Sequence, residues 1–402
     1  MRSVVVLMAV VACGGGGGVG GIVLPDAGPP PLPACDGQLD PAFGTGGVLV
    51  ADDHVPFMEP LAAVTQPDDK LVVVGTTDDP PSRFVAVRYL PDGTLDPAFS
   101  DDGVAVPALG NDTGASARAV TIEPDGKLLV AGTVDGKAAL ARLTADGVLD
   151  TSFAGGYVSL GAGTPIGIAV NAAGIVVAAD GGSTRAILYR VDLAGAPDPS
   201  FGTNGVAADT LDAPTGGPGE TVSAFFLDSQ GRHLLVSAPN DAGGATVVRE
   251  TADGARDATF GNAGAAWPPL PLRAVGGIAA NASGTVLVAM SDPTEVFGIL
   301  DHGAFDSGAA DSTWPLPRLS AGITAQSMVM DSEGAVTVTG DTSSYLVAGH
   351  VTPSGQFDRC WVSAVPVGTG RAAAIDSQGR VTIIAAAPFD ATRTRLALAR
   401  LQ

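Results

Sequence analysis

A unit of about 52 residues recurs through the chain. Every copy is built from short β-branched runs, and turn residues punctuate the runs at fixed offsets. These observations predict an all-β fold: a seven-bladed β-propeller, about 52 residues and four short strands per blade, closed by pairing of N- and C-terminal segments. Composition agrees. The 402 residues include 55 glycines and 30 prolines, which suits many turns and few long helices. Hydrophobic residues make up 46% and charged residues only 16%, enough apolar material for a large core. The net charge of -21, with lysine only at Lys70, Lys127 and Lys137, excludes a basic nucleic-acid binder.

The first element of each unit is a segment such as Leu39-Asp40-Pro41-Ala42-Phe43-Gly44. It returns at Leu95–Phe99, Leu149–Phe153, Pro197–Gly202 and Arg256–Gly261, and in degraded form at Phe305-Asp306 and Phe357-Asp358. The second is a polar turn before an apolar run, as in Pro124-Asp125-Gly126-Lys127 before Leu128–Ala131. The third is an apolar strand entering an Asp-Gly turn, as in Phe84–Leu90 before Asp92-Gly93 and Leu140–Leu143 before Asp146-Gly147. Each run is a strand by length, β-branching and flanking turn residues. Strands apolar on both sides suit sheets that stack face to face. The units fall at about 36–91, 92–145, 146–193, 194–252, 253–302, 303–353 and 354–402.

The two ends of the repeat domain complement each other. The chain finishes Arg395–Gln402, like the strand that elsewhere precedes an Asp-Gly turn. The domain begins Asp36-Gly37-Gln38-Leu39-Asp40, like the turn that follows one. Side by side they complete one blade, leaving only short sheet edges.

These units resemble the delta-60 repeat of bacterial secreted and surface proteins. That repeat runs Leu-Asp-x-x-Phe-Gly-x-x-Gly, then Pro-Asp-Gly-Lys with an apolar strand, then Ala-Arg-Leu-x-x-Asp-Gly. Units one and two match nearly throughout. In units six and seven the Phe-Gly step is lost, and Trp314 or Trp361 is the candidate to fill the vacated volume. The resemblance implies a propeller-like ring and no particular chemistry.

Residues 1–12 read as an export signal: a positive start, then nine apolar residues, too few for a hydrocarbon core that needs about 20. The run ends Val10-Val11-Ala12-Cys13 and resembles the lipobox of bacterial lipoproteins, which implies lipidation of Cys13. Residues 13–35, rich in Gly and Pro, then read as a flexible tether, and 36–402 as the propeller. Gly14 stands where retained inner-membrane lipoproteins carry aspartate. By that resemblance the expected location is the cell envelope, an outer-membrane lipoprotein facing the periplasm or the cell surface. The other two cysteines, Cys35 and Cys360, form an even pair in an exported chain, and ring closure brings their segments together. A disulfide between them is expected.

The search for catalytic groups is thin. His54, His233, His302 and His350 fall in different units without ligand-spaced partners, so no cofactor and no metal site is expected. The repeated aspartates invite a calcium reading, but Asp92…Asp96 and Asp146…Asp150 offer two carboxylates where an EF-hand needs five or six ligands. Turn capping is the simpler account. Recurring residues hold a repeat together, and function is sought where units differ. Trp267-Pro268-Pro269 and Trp314-Pro315 with Arg318 lie in neighbouring units and form a candidate partner-binding patch; blade cores are the alternative place for both tryptophans. The sequence therefore points to a non-enzymatic envelope lipoprotein that binds or scaffolds a protein or polysaccharide partner. The alternatives are an envelope-glycan hydrolase or lyase with an axial-channel site, and a purely structural envelope protein.

Overall fold

The computed structural model describes residues 37–402 apart from 53, 57, 112–113, 183–184, 211–220, 239–245, 267–273, 281–285, 292–294, 300–312, 315–323, 342–344, 354–356, 363–367 and 391–392. Blade one shows the plan. Met58–Thr65, Leu71–Thr77, Phe84–Tyr89 and Val104–Ala105 pair in that order, each antiparallel to the next. The second and third strands are buried on both faces: Val72, Val73 and Val74, like Val85, Ala86 and Val87, are fully enclosed. Alternating polar positions would leave one sheet face wet; these runs have none, so neighbouring sheets cover both faces.

Among the described residues the strands make seven four-stranded sheets. The expectation of seven equivalent blades cut at the unit boundaries is corrected in two ways. Six blades are contiguous in the chain, while the remaining sheet is composite. It takes Thr369–Ile375, Val381–Pro388 and Thr394–Arg400 from one end of the chain and Val48–Val50 from the other. Val48 lies opposite Ala399 and Val50 opposite Ala397 in an antiparallel pair. Second, the boundaries at 91, 145 and 193 each fall between the third and fourth strands of one sheet. A repeated sequence has no marked beginning. The sheet begins where the chain passes from an outermost strand to the next innermost one, and no residue pattern announces that step.

The innermost strands are Met58–Thr65, Ala115–Ile122, Thr164–Asn171, Thr221–Leu227, Ala274–Ala280, Thr324–Met330 and Thr369–Ile375. Each lies against the first strand of the next sheet, and the last lies against the first strand of blade one. They therefore surround a central axis. Polar contacts hold the junction of the composite sheet with blade one. Ser377 donates from its amide and its hydroxyl to the Asp69 carboxylate, both at 2.9 Å, and the Thr394 amide donates to Asp78 at 2.7 Å.

Candidate functional site

Two sets of positions recur in every sheet, one on each side of the ring. First and third strands run the same way, so their ends share a face, which carries the Asp-Gly turns. The starts of the first strands share the opposite face.

On the turn face an arginine of the third strand meets the aspartate eight residues on. Arg88 Nε donates to Asp96 at 2.8 Å, Arg142 to Asp150 at 2.9 Å, Arg190 to Asp198 at 2.7 Å and Arg249 to Asp257 at 2.8 Å. In the composite sheet Arg400 meets Asp40 at 2.9 Å, across the join of the two chain ends. The second carboxylate oxygen accepts a backbone amide two residues on, as Asp150 does from Ser152 at 3.0 Å. The guanidinium also stacks on the phenylalanine three residues past the aspartate: 4.7 Å for Phe99, 4.6 Å for Phe153, Phe201 and Phe260, and 4.5 Å for Phe43. Its Nη1 reaches the next blade, Arg88 to the Ala145 carbonyl at 2.5 Å and Arg142 to that of Leu193 at 2.8 Å. The glycine of that next turn rests on the phenylalanine: Gly147 has φ +83° and a Cβ there would stand 2.7 Å from the Phe99 ring. The Ser152 hydroxyl, with its amide and Arg142, holds the Asp150 carboxyl at about 2, against the opposing effect of burial. The carboxylate oxygens that calcium would need are thus occupied by the fold.

Blade six keeps the plan with other residues. His350 stands in the register position of the arginine, opposite Thr337, and its Nδ1 lies 2.5 Å from Asp358. Trp361, buried, takes the place of phenylalanine three residues after Asp358. In blade five the register puts Gly298 in that place, and Asp306 lies outside the described residues. Blade four carries two buried titratable groups on paired positions, His233 and Glu250. Burial pushes His233 down to about 4, while its Nδ1 contacts the Thr251 carbonyl at 3.0 Å. Burial, reinforced by Asp209, pushes Glu250 up to about 8.

At the axis the positions vary instead. Every first strand breaks register once, at the same place, so that one residue is left without a partner. These residues are Leu61, Arg118, Ile166, Ser223, Gly276, Gln326 and Arg371. Such bulges re-aim a side chain. Arg371 Nη2 pairs with Glu59 at 3.1 Å. Gln326 Nε2 donates to Asp341 at 3.2 Å. Burial raises the Asp341 carboxyl above its usual range, partly offset by Gln326, the Gly370 amide and Arg371. An arc of Gln326, Asp341, Arg371 and Glu59 thus crosses from blade six over the composite sheet to blade one. Arg118, flanked by the enclosed Ala117 and Ala119, makes no hydrogen bond or ion pair among the described residues.

Of the sites expected from sequence, Cys13, Cys35, Trp267 and Arg318 lie outside the described residues. Trp314 is in the short strand Thr313–Trp314, opposite Val296. Cys360 is buried in Phe357–Val362, and its carbonyl accepts the Gly37 amide at 3.1 Å. Sequence reasoning named the aspartates and phenylalanines but not their arginine partner. The constant spacing Arg-x7-Asp-x2-Phe was the signal. Among the described residues no helix is long and apolar enough to cross a membrane, and no group of three or more His, Cys, Asp or Glu is placed to hold a metal.

A closed set of radial four-stranded sheets, locked blade to blade by one repeated motif, defines the class: the chain is a β-propeller repeat protein. The family described as a domain of unknown function (DUF5122) β-propeller matches residues 66–99 and 123–153. No curated protein matches the chain. Among solved structures, catalytically inactive virginiamycin B lyase from Staphylococcus aureus with quinupristin is 12% identical at a TM-score of 0.56, over 87% of this chain and 97% of that one. The selenomethionine-substituted form of that lyase gives 13% and 0.55, over 88% and 98%. A protein from Lactobacillus plantarum is 14% identical at 0.50, over 79% and 88%. At these identities the likeness is one of fold alone.

Proposed function

We propose that the chain is a non-enzymatic, envelope-tethered binding module whose partner engages the axial mouth. The observation that carries the reading is the bulge ring: one backbone position, repeated in every first strand, carries two arginines, two aliphatic residues, a serine, a glutamine and a glycine, while the turn face repeats one motif. Arg118 offers donors that suit a carboxylate, and the N–H groups of Arg371 and Gln326 not used on Glu59 and Asp341 suit glycan hydroxyls. The net charge of -21 opposes a long polyanion. The partner class that fits is an envelope polysaccharide with isolated carboxylates. Lipidation at Cys13 and the Gly/Pro-rich tether would hold the ring at the outer membrane, facing the periplasm or the surface. A Cys35–Cys360 disulfide would fasten the tether's end to blade six. Gly37, two residues on, already bonds to the Cys360 carbonyl.

Calorimetry with an oligosaccharide bearing one terminal uronate tests the reading. The expected result is binding that Arg118→Leu weakens at least tenfold with the thermal midpoint unchanged. Failure to bind, or equal binding by the variant, overturns it. Intact mass of the protein extracted from its own cells tests the anchor: acylated Cys13 at the N-terminus supports it, and an unmodified start at Met1 overturns it.

One observation favours a hydrolase or lyase at the same mouth. The Asp341 carboxyl, raised by burial, interacts with Arg371, which pairs with Glu59 at 3.1 Å, so one arginine connects a candidate acid to a candidate carboxylate base. Cleavage of the oligosaccharide that Asp341→Asn abolishes would establish that reading in place of the first.

A further inference from the structure

The face that carries the axial mouth also carries the entries of the third strands, and one register position there repeats. Lys137 lies opposite Val134 and Arg395 opposite Ala387. Arg83 and Arg185 hold the same place, their carbonyls accepting the Thr77 amide at 2.9 Å and the Gly181 amide at 2.8 Å. The composite sheet and blades one, two and three, consecutive around the ring, thus each set a cation at this point. Arg83, Lys137 and Arg185 are exposed and form no ion pair among the described residues. The turn face treats its cations otherwise. Besides the motif arginines, Lys70 and Lys127 lie 3.2 Å from Asp68 and Asp125, and Arg232 and Arg380 lie 2.6 and 2.7 Å from Asp228 and Asp376.

Backbone bonds tie this arc to the axis. The Ala115 amide donates to the Ser82 carbonyl at 2.8 Å, and the Asp135 amide to the Gly114 carbonyl at 3.0 Å. Arg83 and Lys137 therefore flank the entry of the strand Ala115–Ile122, which carries the half-buried Arg118. Carboxylates of the same hairpins are turned to backbone amides: Asp78 to that of Thr394 at 2.7 Å, Asp135 to Asn111 at 3.0 Å and Asp180 to Gly182 at 3.1 Å. Asp79 is the other acid there. Cations and carboxylates are about equal in number, which disfavours a densely charged polymer and suits one whose carboxylates are spaced by neutral sugars.

We propose that the polysaccharide crosses the ring from the axis outward over blades one to three, with one carboxylate at Arg118 and further ones at Arg83, Lys137 and Arg185. This rests on the axial reading above and specifies its partner: an acidic polysaccharide with a uronate in every short repeat, not one with a single terminal acid. Each exposed contact is weak by itself. Linked on one polymer they add through effective concentration.

The test is calorimetry of the full-length protein at low salt with two hyaluronan fragments, in which every second sugar is a glucuronate: the disaccharide with one carboxylate and the octasaccharide with four. The octasaccharide is expected to bind at least about tenfold tighter. Arg83→Ser, Lys137→Ser and Arg185→Ser combined, all on exposed side chains, should bring it down to the level of the disaccharide with the thermal midpoint unchanged. An octasaccharide no tighter than the disaccharide, or a gain untouched by the triple variant, overturns the proposal. Vesicles of phosphatidylglycerol are titrated alongside. Vesicle binding that the triple variant abolishes, without an octasaccharide gain, overturns it in favour of a membrane surface. The disaccharide with Arg118→Leu reads the axial site alone, so that reading and this one fail separately.

Discussion

The turn face and the axial face of this ring are built on the same repeat and treat it in opposite ways. On the turn face, five of the seven sheets carry the same arginine, aspartate and phenylalanine, with the arginine–aspartate bond at 2.7 to 2.9 Å each time. At the axis the backbone repeats the same bulge, yet its occupant ranges from arginine through glutamine and serine to leucine and glycine. The difference teaches where constraint lies. The turn-face motif ties each blade to the next, through the arginine's bond to a neighbouring carbonyl and the glycine seated on phenylalanine. A change there is felt by two blades. An axial bulge residue leaves the ladder without a partner, so its side chain is free of that duty.

Breaking the turn face should have the largest effect. Arg142→Ala takes from Asp150, buried on the turn face of blade two, its closest cation, leaving only Lys127 at 3.4 Å, and removes the contact with Leu193. A loss of about 3 kcal/mol in urea denaturation is expected, the low end of the cost of breaking a buried pair, because Lys127 still faces the carboxylate. Gly147→Ala should follow at roughly 2 kcal/mol: the position has positive φ, and the added methyl meets the Phe99 ring. If either variant unfolds with the parent, the motif is ornament and the comparison collapses.

Much of this plan was legible in the chain. The period, the apolar strands and the Asp-Gly turns follow from local chemistry that each copy states for itself. Trp361 was a fair candidate for the lost phenylalanine, because Asp358-Arg359-Cys360-Trp361 keeps the spacing of Asp-x-x-Phe. The phase of the sheets was not legible, since it depends on which strand crosses to the next blade. The bulge ring was also hidden. A bulge is a property of pairing between two strands, and Ala117-Arg118-Ala119 opposite Gly132-Ala131 looks like any other alternation.

Blade four sharpens the comparison with a departure inside the constrained region. Glu250 follows the motif arginine where blade one carries Tyr89 and the others Leu143, Val191 and Leu401, and it is 1% exposed. Its carboxyl stands at about 8, above the unfolded value of 4.5. The folded state therefore binds the proton more tightly. Stability is full below about pH 4.5, falls as pH rises toward 8, and levels off above it. Glu250→Gln should remove that slope, leaving the two proteins alike near pH 5 and the variant more stable at pH 9 by on the order of 2 kcal/mol. His233 has the opposite sign. Its value of about 4 lies below the unfolded 6.5, so its contribution is present above pH 6.5 and lost as pH falls through 4. Thermal midpoints of both proteins across pH 4–9 would read both slopes at once.

The smallest expected effect is the one that distinguishes the faces most sharply. Arg118→Leu converts the bulge residue of blade two into that of blade one, Leu61, on the same backbone. With no hydrogen bond or ion pair at Arg118 among the described residues, the change should move stability by no more than about 0.5 kcal/mol in the urea experiment that costs Arg142→Ala several. The two arginines lie in the first and third strands of a single sheet. If Arg118→Leu proves as damaging as Arg142→Ala, the axial side chains are structural after all, and variation at the bulge reflects local packing instead of a surface kept free for a partner.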